Sequence, residues 1–162
     1  MLIKTFDERD GSTLKILMCL AKDDSDTPDG CSLLFVDGDQ ESMFADHEYP
    51  TDGVYTPLEQ FLETLVTLRT CLNDIIDSDG ETNLEWKNNK GDYLRYESPR
   101  DSVVYSTLTF GNDEDDDPVI LVSTGKTSDA WMESLRDIHN VITENIKKLR
   151  VFIATLEPST EQ

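Results

Sequence analysis

The sequence is poor in basic residues and has no long apolar run, and both shortages exclude classes of protein. Its 162 residues include 14 Lys and Arg against 34 Asp and Glu, which gives a net charge of −20. Surfaces that bind DNA or RNA need a cationic footprint, so we expect no direct contact with nucleic acid. The apolar runs are only a few residues long, so we expect no membrane span.

Cysteine is also scarce, and it shows no pattern typical of a disulfide framework or a metal site. The chain contains only Cys19, Cys31 and Cys71, and no Cys-x-x-Cys pair occurs. An odd, scattered set without a signal peptide is typical of reduced thiols. We therefore expect a cytoplasmic protein, and the length predicts a single domain over residues 1–162.

Catalytic and metal-binding motifs are missing as well. His47 and His139 stand apart, and neither forms a His-Glu-x-x-His or triad pattern. The segment 77–80, Asp-Ser-Asp-Gly, is not a calcium loop, because Trp86 stands where the final glutamate ligand is needed. Phosphate-binding glycine loops and nucleophile elbows are absent too. We expect neither an enzyme nor a cofactor or metal.

Apolar periodicity predicts two helices and several strands. A capping box at 56–59, Thr-Pro-Leu-Glu, begins a helix whose apolar residues recur at three- and four-residue steps up to Ile76. A second stripe, from Trp131 to Leu156, predicts a long C-terminal helix. Strands are predicted at 13–21, 31–36, 83–87, 92–97, 102–110 and 118–123. The expected fold class is α+β, with a mainly antiparallel sheet of about six strands in the order ββαββββα, packed against the two amphipathic helices.

The stripe on the last helix leaves two arrangements open. It can pack within one chain, or it can pair two copies in a homodimer through the C-terminal helix. In the homodimer Asn145, the polar residue that interrupts the stripe, would fix the register of the two copies. The expected state is therefore a monomer or such a homodimer.

The negative charge is concentrated in one part of the chain. Residues 23–83 contain 16 acidic residues and a single base, Arg69, whereas residues 127–162 are nearly balanced. Halophilic proteins spread acid over the whole surface, which does not fit this distribution. A concentrated surface of one sign repels itself and costs stability, so a role in binding is favoured over plain solubility.

The charges at the C-terminal end of the first helix are unfavourable for the helix dipole. Its C-terminal end carries four acidic residues, called here the acidic corner: Asp74, Asp77, Asp79 and Glu81. A carboxylate at this end costs about 0.3–1 kcal/mol at low salt. The last helix is expected to follow the dipole, with three bases toward its end: Lys147, Lys148 and Arg150. A local rule broken without compensation indicates a functional surface, although Asp77 and Asp79 could simply shape the turn before Gly80.

These patterns predict a small acidic binding protein that neutralises a basic partner. A toxin with nuclease-like activity would suit this role, which would make the chain an immunity protein or antitoxin. The alternatives are a DNA mimic that inhibits nucleic-acid-binding proteins and an acidic secretion chaperone. Besides the acidic corner, the expected contact residues are a loop group, Asp23, Asp24, Asp26, Asp29, Asp37, Asp39 and Glu41, and two aromatic anchors, Tyr49 and Tyr55.

Overall fold

A computed structural model describes residues 1–6, 14–22, 28–48, 56–98, 105–123 and 129–156. Within these ranges the elements follow the order ββββαββββα. The strands are β1 (Leu2–Phe6), β2 (Lys15–Lys22), β3 (Pro28–Asp37), β4 (Gln40–Glu48), β5 (Leu84–Lys87), β6 (Asp92–Glu97), β7 (Thr107–Asn112) and β8 (Asp115–Ser123). The helices are α1 (Thr56–Asp77) and α2 (Asp129–Leu156).

The strands form two separate sheets. The large sheet has the order β1-β8-β7-β6-β5, and all its neighbours are antiparallel except β1 and β8, which run parallel with Leu2 opposite Val119. The small sheet has the order β2-β3-β4 and is antiparallel throughout. The fold is therefore α+β, with two helices, a mixed five-stranded sheet and a three-stranded sheet.

The predicted class and both helices are confirmed, but the single sheet of about six strands in the order ββαββββα is wrong. The strand β1 has only five residues, and it pairs with β8, which lies far away in sequence, so no hairpin pattern marks it. The strand β4 follows β3 after a tight turn at Gly38, which has a left-handed φ of 60°. Residues 102–104, where a strand was predicted to begin, lie outside the described residues.

The buried side chains of both sheets and both helices form one cluster. The rings of Phe35 in β3 and Phe44 in β4 meet Phe110 in β7, with centroids 5.1 and 5.4 Å apart. The two helices pack against each other, and they also contact strands of the small sheet. The small sheet is therefore packed against both the helices and the large sheet through aromatic and aliphatic side chains.

The predicted apolar stripes are the buried faces of the helices. In α1 the stripe from Leu58 to Ile75 is buried, and in α2 burial extends from Trp131 to Ile153 and includes Asn145. The stripe of α2 is thus covered within the chain, and a homodimer stays a prediction. The expected agreement of α2 with the helix dipole is wrong at its end, because α2 continues to Leu156 and its last turn contains no basic residue.

Candidate functional site

The helix α1 ends in a closed, hydrogen-bonded turn that carries the acidic corner. The Asp79 N–H donates to the Ile76 carbonyl (3.0 Å), and the Gly80 N–H donates to the Ile75 carbonyl (2.9 Å). Asp79 and Gly80 both have left-handed backbones, with φ of 56° and 76°. This is a Schellman closure in which an aspartate occupies the position that glycine usually takes. The helix end that was expected to lack compensation therefore has its carbonyls satisfied.

Buried side chains fix this turn to the rest of the fold. The hydroxyl of Tyr96 in β6 donates to the Gly80 carbonyl (2.8 Å), and the Trp131 indole N–H in α2 donates to the Tyr96 oxygen (3.3 Å). Both aromatic side chains are fully buried. The Ser78 hydroxyl adds a bond to the Ile75 carbonyl (2.8 Å). The backbone of the acidic corner is therefore held directly by Tyr96 in β6, and α2 supports that contact through Trp131.

The carboxylates of the acidic corner point outward. Asp74, Asp77, Asp79 and Glu81 are all exposed. None of them forms an ion pair with a residue that the structure describes. Four negative charges within eight residues are thus presented on a fixed backbone, and no cation of the described residues pairs with them.

The loop group is described only in part. Asp23, Asp24, Asp26, Tyr49 and Tyr55 lie outside the described residues, as does the side chain of Asp29. On the hairpin of β3 and β4, Asp39 and Glu41 are exposed. The described members of the loop group and the acidic corner therefore belong to different elements, the hairpin and the end of α1.

Asp37 differs from the other predicted contact residues because it has an internal partner. Its carboxylate lies 3.3 Å from the ammonium of Lys4, whose side chain is only 5% exposed. Lys4 belongs to β1 of the large sheet, and Asp37 ends β3 of the small sheet. The pair therefore links the two sheets, and Asp37 has a structural role that the sequence did not reveal.

Several acidic residues of the large sheet also have cationic partners. Asp113 contacts Lys87, and Glu85 lies 3.6 Å from Arg95. The carboxylate of Asp117 contacts the amino group of Met1. These pairs are exposed and contribute little stability, but they distinguish this sheet from the acidic corner.

One thiol lies beside the acidic corner. Burial raises the pKa of the Cys71 thiol, the negative charge of Asp74 raises it further, and a backbone hydrogen bond opposes both effects. The thiol is therefore protonated at neutral pH, which makes it a weak nucleophile. Cys31 is buried as well.

The described residues form grooves that the sequence did not indicate, and two of them lie beside the helices. One, of about 290 Å³, lies between α1 and the turn from β5 to β6 and includes Glu63 and Trp86. The other, of about 390 Å³, lies between β2 and α2 and includes Leu17 and Asn145. The acidic corner lines neither. In the described part of the chain, no cluster of three or more His, Cys, Asp or Glu residues could hold a metal ion.

No protein-family model matches the sequence, and neither the curated proteins nor the solved structures include a significant match. Among the residues that the structure describes, no helix is both long and apolar enough to cross a membrane. The function of the protein has therefore to be inferred from the chemistry of its own residues.

Proposed function

We propose that the protein binds and neutralises a basic partner protein, a toxin with nuclease-like activity, in the manner of an immunity protein or antitoxin. The observation that carries this proposal is the acidic corner, whose four carboxylates are exposed, have no cationic partner in the described part of the chain and stand on a closed turn. An enzyme that acts on nucleic acid has a cationic substrate surface. A fixed set of carboxylates is complementary to such a surface.

The rigidity of the acidic corner supports a binding role in a second way. Ordering flexible side chains and loops on binding costs free energy. Because Tyr96 and Trp131 already fix the turn, less backbone freedom is lost when a partner binds. The net charge of −20 adds long-range attraction, which mainly accelerates association with a basic protein.

The experiment compares two variants that lose the same charge in different places. The corner variant carries Asp74→Asn, Asp77→Asn, Asp79→Asn and Glu81→Gln. The control variant carries Glu63→Gln, Glu97→Gln, Glu133→Gln and Asp137→Asn, which are exposed acidic residues outside the acidic corner. Asparagine tolerates the left-handed backbone of Asp79, so the turn should persist in the corner variant.

The parent and both variants are immobilised, exposed to an extract of the host at low salt and eluted with increasing salt. We expect the parent and the control variant to retain one basic protein that the corner variant loses. With that protein purified, its association rate should fall as salt rises, and the corner variant should associate about tenfold more slowly. Equal retention by the corner variant would contradict the proposal, and retention of many nucleic-acid-binding proteins would support a DNA mimic instead.

A further inference from the structure

The two sheets have four edge strands, and three of them carry features that prevent pairing with another chain. Edge strands expose unpaired N–H and C=O groups, and short length, charges and bulges protect them. The edge strand β5 has only four residues, two of which are charged. The edge strand β1 has five residues and an inward-pointing charge, Lys4. In the edge strand β4, the left-handed Ala45 (φ 55°) accompanies an irregular register with β3.

The fourth edge, β2, lacks this protection in its middle, and no described strand pairs with its outer side. It has eight residues, and its only charges are Lys15 and Lys22 at its two ends. Its one register shift lies between Ala21 and Lys22, so the strand is regular up to that point. Leu17, in the middle of the regular part, is half exposed. An uncharged, regular edge of this kind is suited to pairing with an additional strand.

The helix α2 lies beside β2 but leaves the groove of about 390 Å³ between them. Ile16, Leu17 and Met18 form the strand side of this groove, and Val141 and Asn145 lie on the helix side. The volume falls within the range of ligand-binding sites in proteins. The groove therefore offers room next to the edge of the small sheet, between apolar side chains.

Asn145 provides an independent indication that something binds in this groove. Its side chain is only 7% exposed, and its amide nitrogen has no hydrogen-bond partner. Nearly all buried polar groups in proteins are hydrogen-bonded, so the Asn145 side chain at the wall of the groove lacks an acceptor. Its nitrogen atom is almost inaccessible, so an acceptor in the groove reaches it when the side-chain amide rotates toward the groove. The carbonyl oxygens of a strand paired with β2 would supply such an acceptor.

We propose that an extended segment of another protein pairs with β2 as a fourth strand of the small sheet. Its backbone would bond to the open edge of β2, one of its carbonyls would accept a hydrogen bond from Asn145, and an apolar side chain would contact Leu17 and Val141. This surface is separate from the acidic corner, so the inference does not depend on the proposed function.

Charge identifies the occupant further. Lys148 at the groove and Lys15 at the start of β2 are exposed, whereas Glu144 is already bonded to Lys147 (3.3 Å). The cationic rim favours a segment that carries acidic side chains beside the apolar ones. A second copy paired through β2 fits less well, because antiparallel pairing would bring Lys15 of each copy toward Lys22 of the other, and like charges across strands repel.

The test uses a defined probe, an acetylated and amidated hexapeptide of alternating Val and Glu. Two N-methylated versions block the N–H groups of one strand edge or of the other. Binding is followed by NMR on the isotope-labelled chain. We expect saturable shifts and slower hydrogen exchange at β2 amides, with one methylated version binding and the other not. The proposal is wrong if millimolar peptide leaves β2 unaffected, or if both methylated versions bind equally.

Variants distinguish binding at the groove from nonspecific binding elsewhere on the chain. Asn145→Leu replaces a buried amide by an apolar side chain of similar size, so the chain should fold and bind the peptide about threefold to tenfold more weakly. Leu17→Glu removes the apolar contact, places a negative charge in the middle of the edge and repels the Glu side chains of the peptide, so it should abolish binding. Asn73→Leu, at an exposed position of α1, should bind like the parent. A dimer that Leu17→Glu dissociates would show instead that a second copy occupies β2.

Discussion

Asp37 and Asp77 carry the same charge at the ends of two elements, but they differ in what surrounds them. Asp37 ends β3 and lies 3.3 Å from Lys4, which is almost fully buried. Asp77 ends α1, is exposed and has no cationic partner among the described residues. The comparison shows two kinds of acidic residue in this chain: some link parts of the fold, and others are exposed without a cationic partner among the described residues.

Removing Asp37 should have the largest effect on stability. Asp37→Ala removes a charge-assisted hydrogen bond of the buried Lys4 ammonium, and the free energy of unfolding should fall by about 1.5–3 kcal/mol. Urea denaturation measures the change. The control Asp39→Ala, at an exposed neighbour in the turn, should change it by less than about 0.5 kcal/mol. Equal losses would show that the pair does not link the sheets.

Removing the buried Tyr96 hydroxyl, which supports the acidic corner, should have the second-largest effect on stability. Tyr96→Phe leaves the Gly80 carbonyl and the Trp131 indole N–H without their partner, and the free energy of unfolding should fall by about 1–3 kcal/mol. Thermal unfolding measures the loss, and faster hydrogen exchange at Gly80 would locate it. Tyr93→Phe, on the outer face of the same strand, is the matched control. If it destabilises as much as Tyr96→Phe, the buried hydroxyl is not what fixes the turn.

Neutralising Asp77 in the acidic corner should increase stability. Asp77→Asn takes a carboxylate away from the negative end of the α1 dipole and should stabilise the chain by about 0.3–1 kcal/mol at low salt. Added salt should reduce the gain. Asp137→Asn, exposed in the middle of α2, removes the same charge far from either helix end and serves as the control. Stability that does not change in Asp77→Asn would mean that the closed turn already offsets the dipole.

The smallest effect should appear at alkaline pH. Burial and Asp74 raise the pKa of the Cys71 thiol in the folded chain, so the unfolded chain loses this proton first. The contribution of the thiol to stability is therefore complete below the ordinary thiol pKa of 9.0 and is lost as pH rises above it. Denaturation from neutral to alkaline pH should show a shallower decline for Cys71→Ala and for Asp74→Asn than for the parent. Parallel declines would contradict the raised pKa.

The parts of the fold that depend on near neighbours could be predicted from the sequence. The stripe from Leu58 to Ile75 identifies α1 because residues three and four positions apart share a helix face. The pairing of β5 with β6 follows from two alternating segments around a short polar turn. The acidic corner was predicted in the same way, because four acidic residues at one helix end are visible in the sequence.

The parts that depend on distant residues could not be predicted. Nothing near Asp37 in sequence points to Lys4, 33 positions earlier. The anchoring of the acidic corner by Tyr96 needs β6 to lie below the end of α1, which no local pattern indicates. Asn145 was recognised as a polar interruption of a stripe, but the groove it lines exists only because β2 packs beside α2.

The parallel pairing of β1 with β8 has a consequence for how the chain folds during translation. The strand β1 leaves the ribosome first of the eight, and its partner emerges only after most of the chain has been made. The hairpins of β2, β3 and β4 join consecutive strands and can form much earlier. We therefore expect the small sheet to assemble on the nascent chain. The strand β1 should remain unpaired, and accessible to chaperones, until the large sheet is completed.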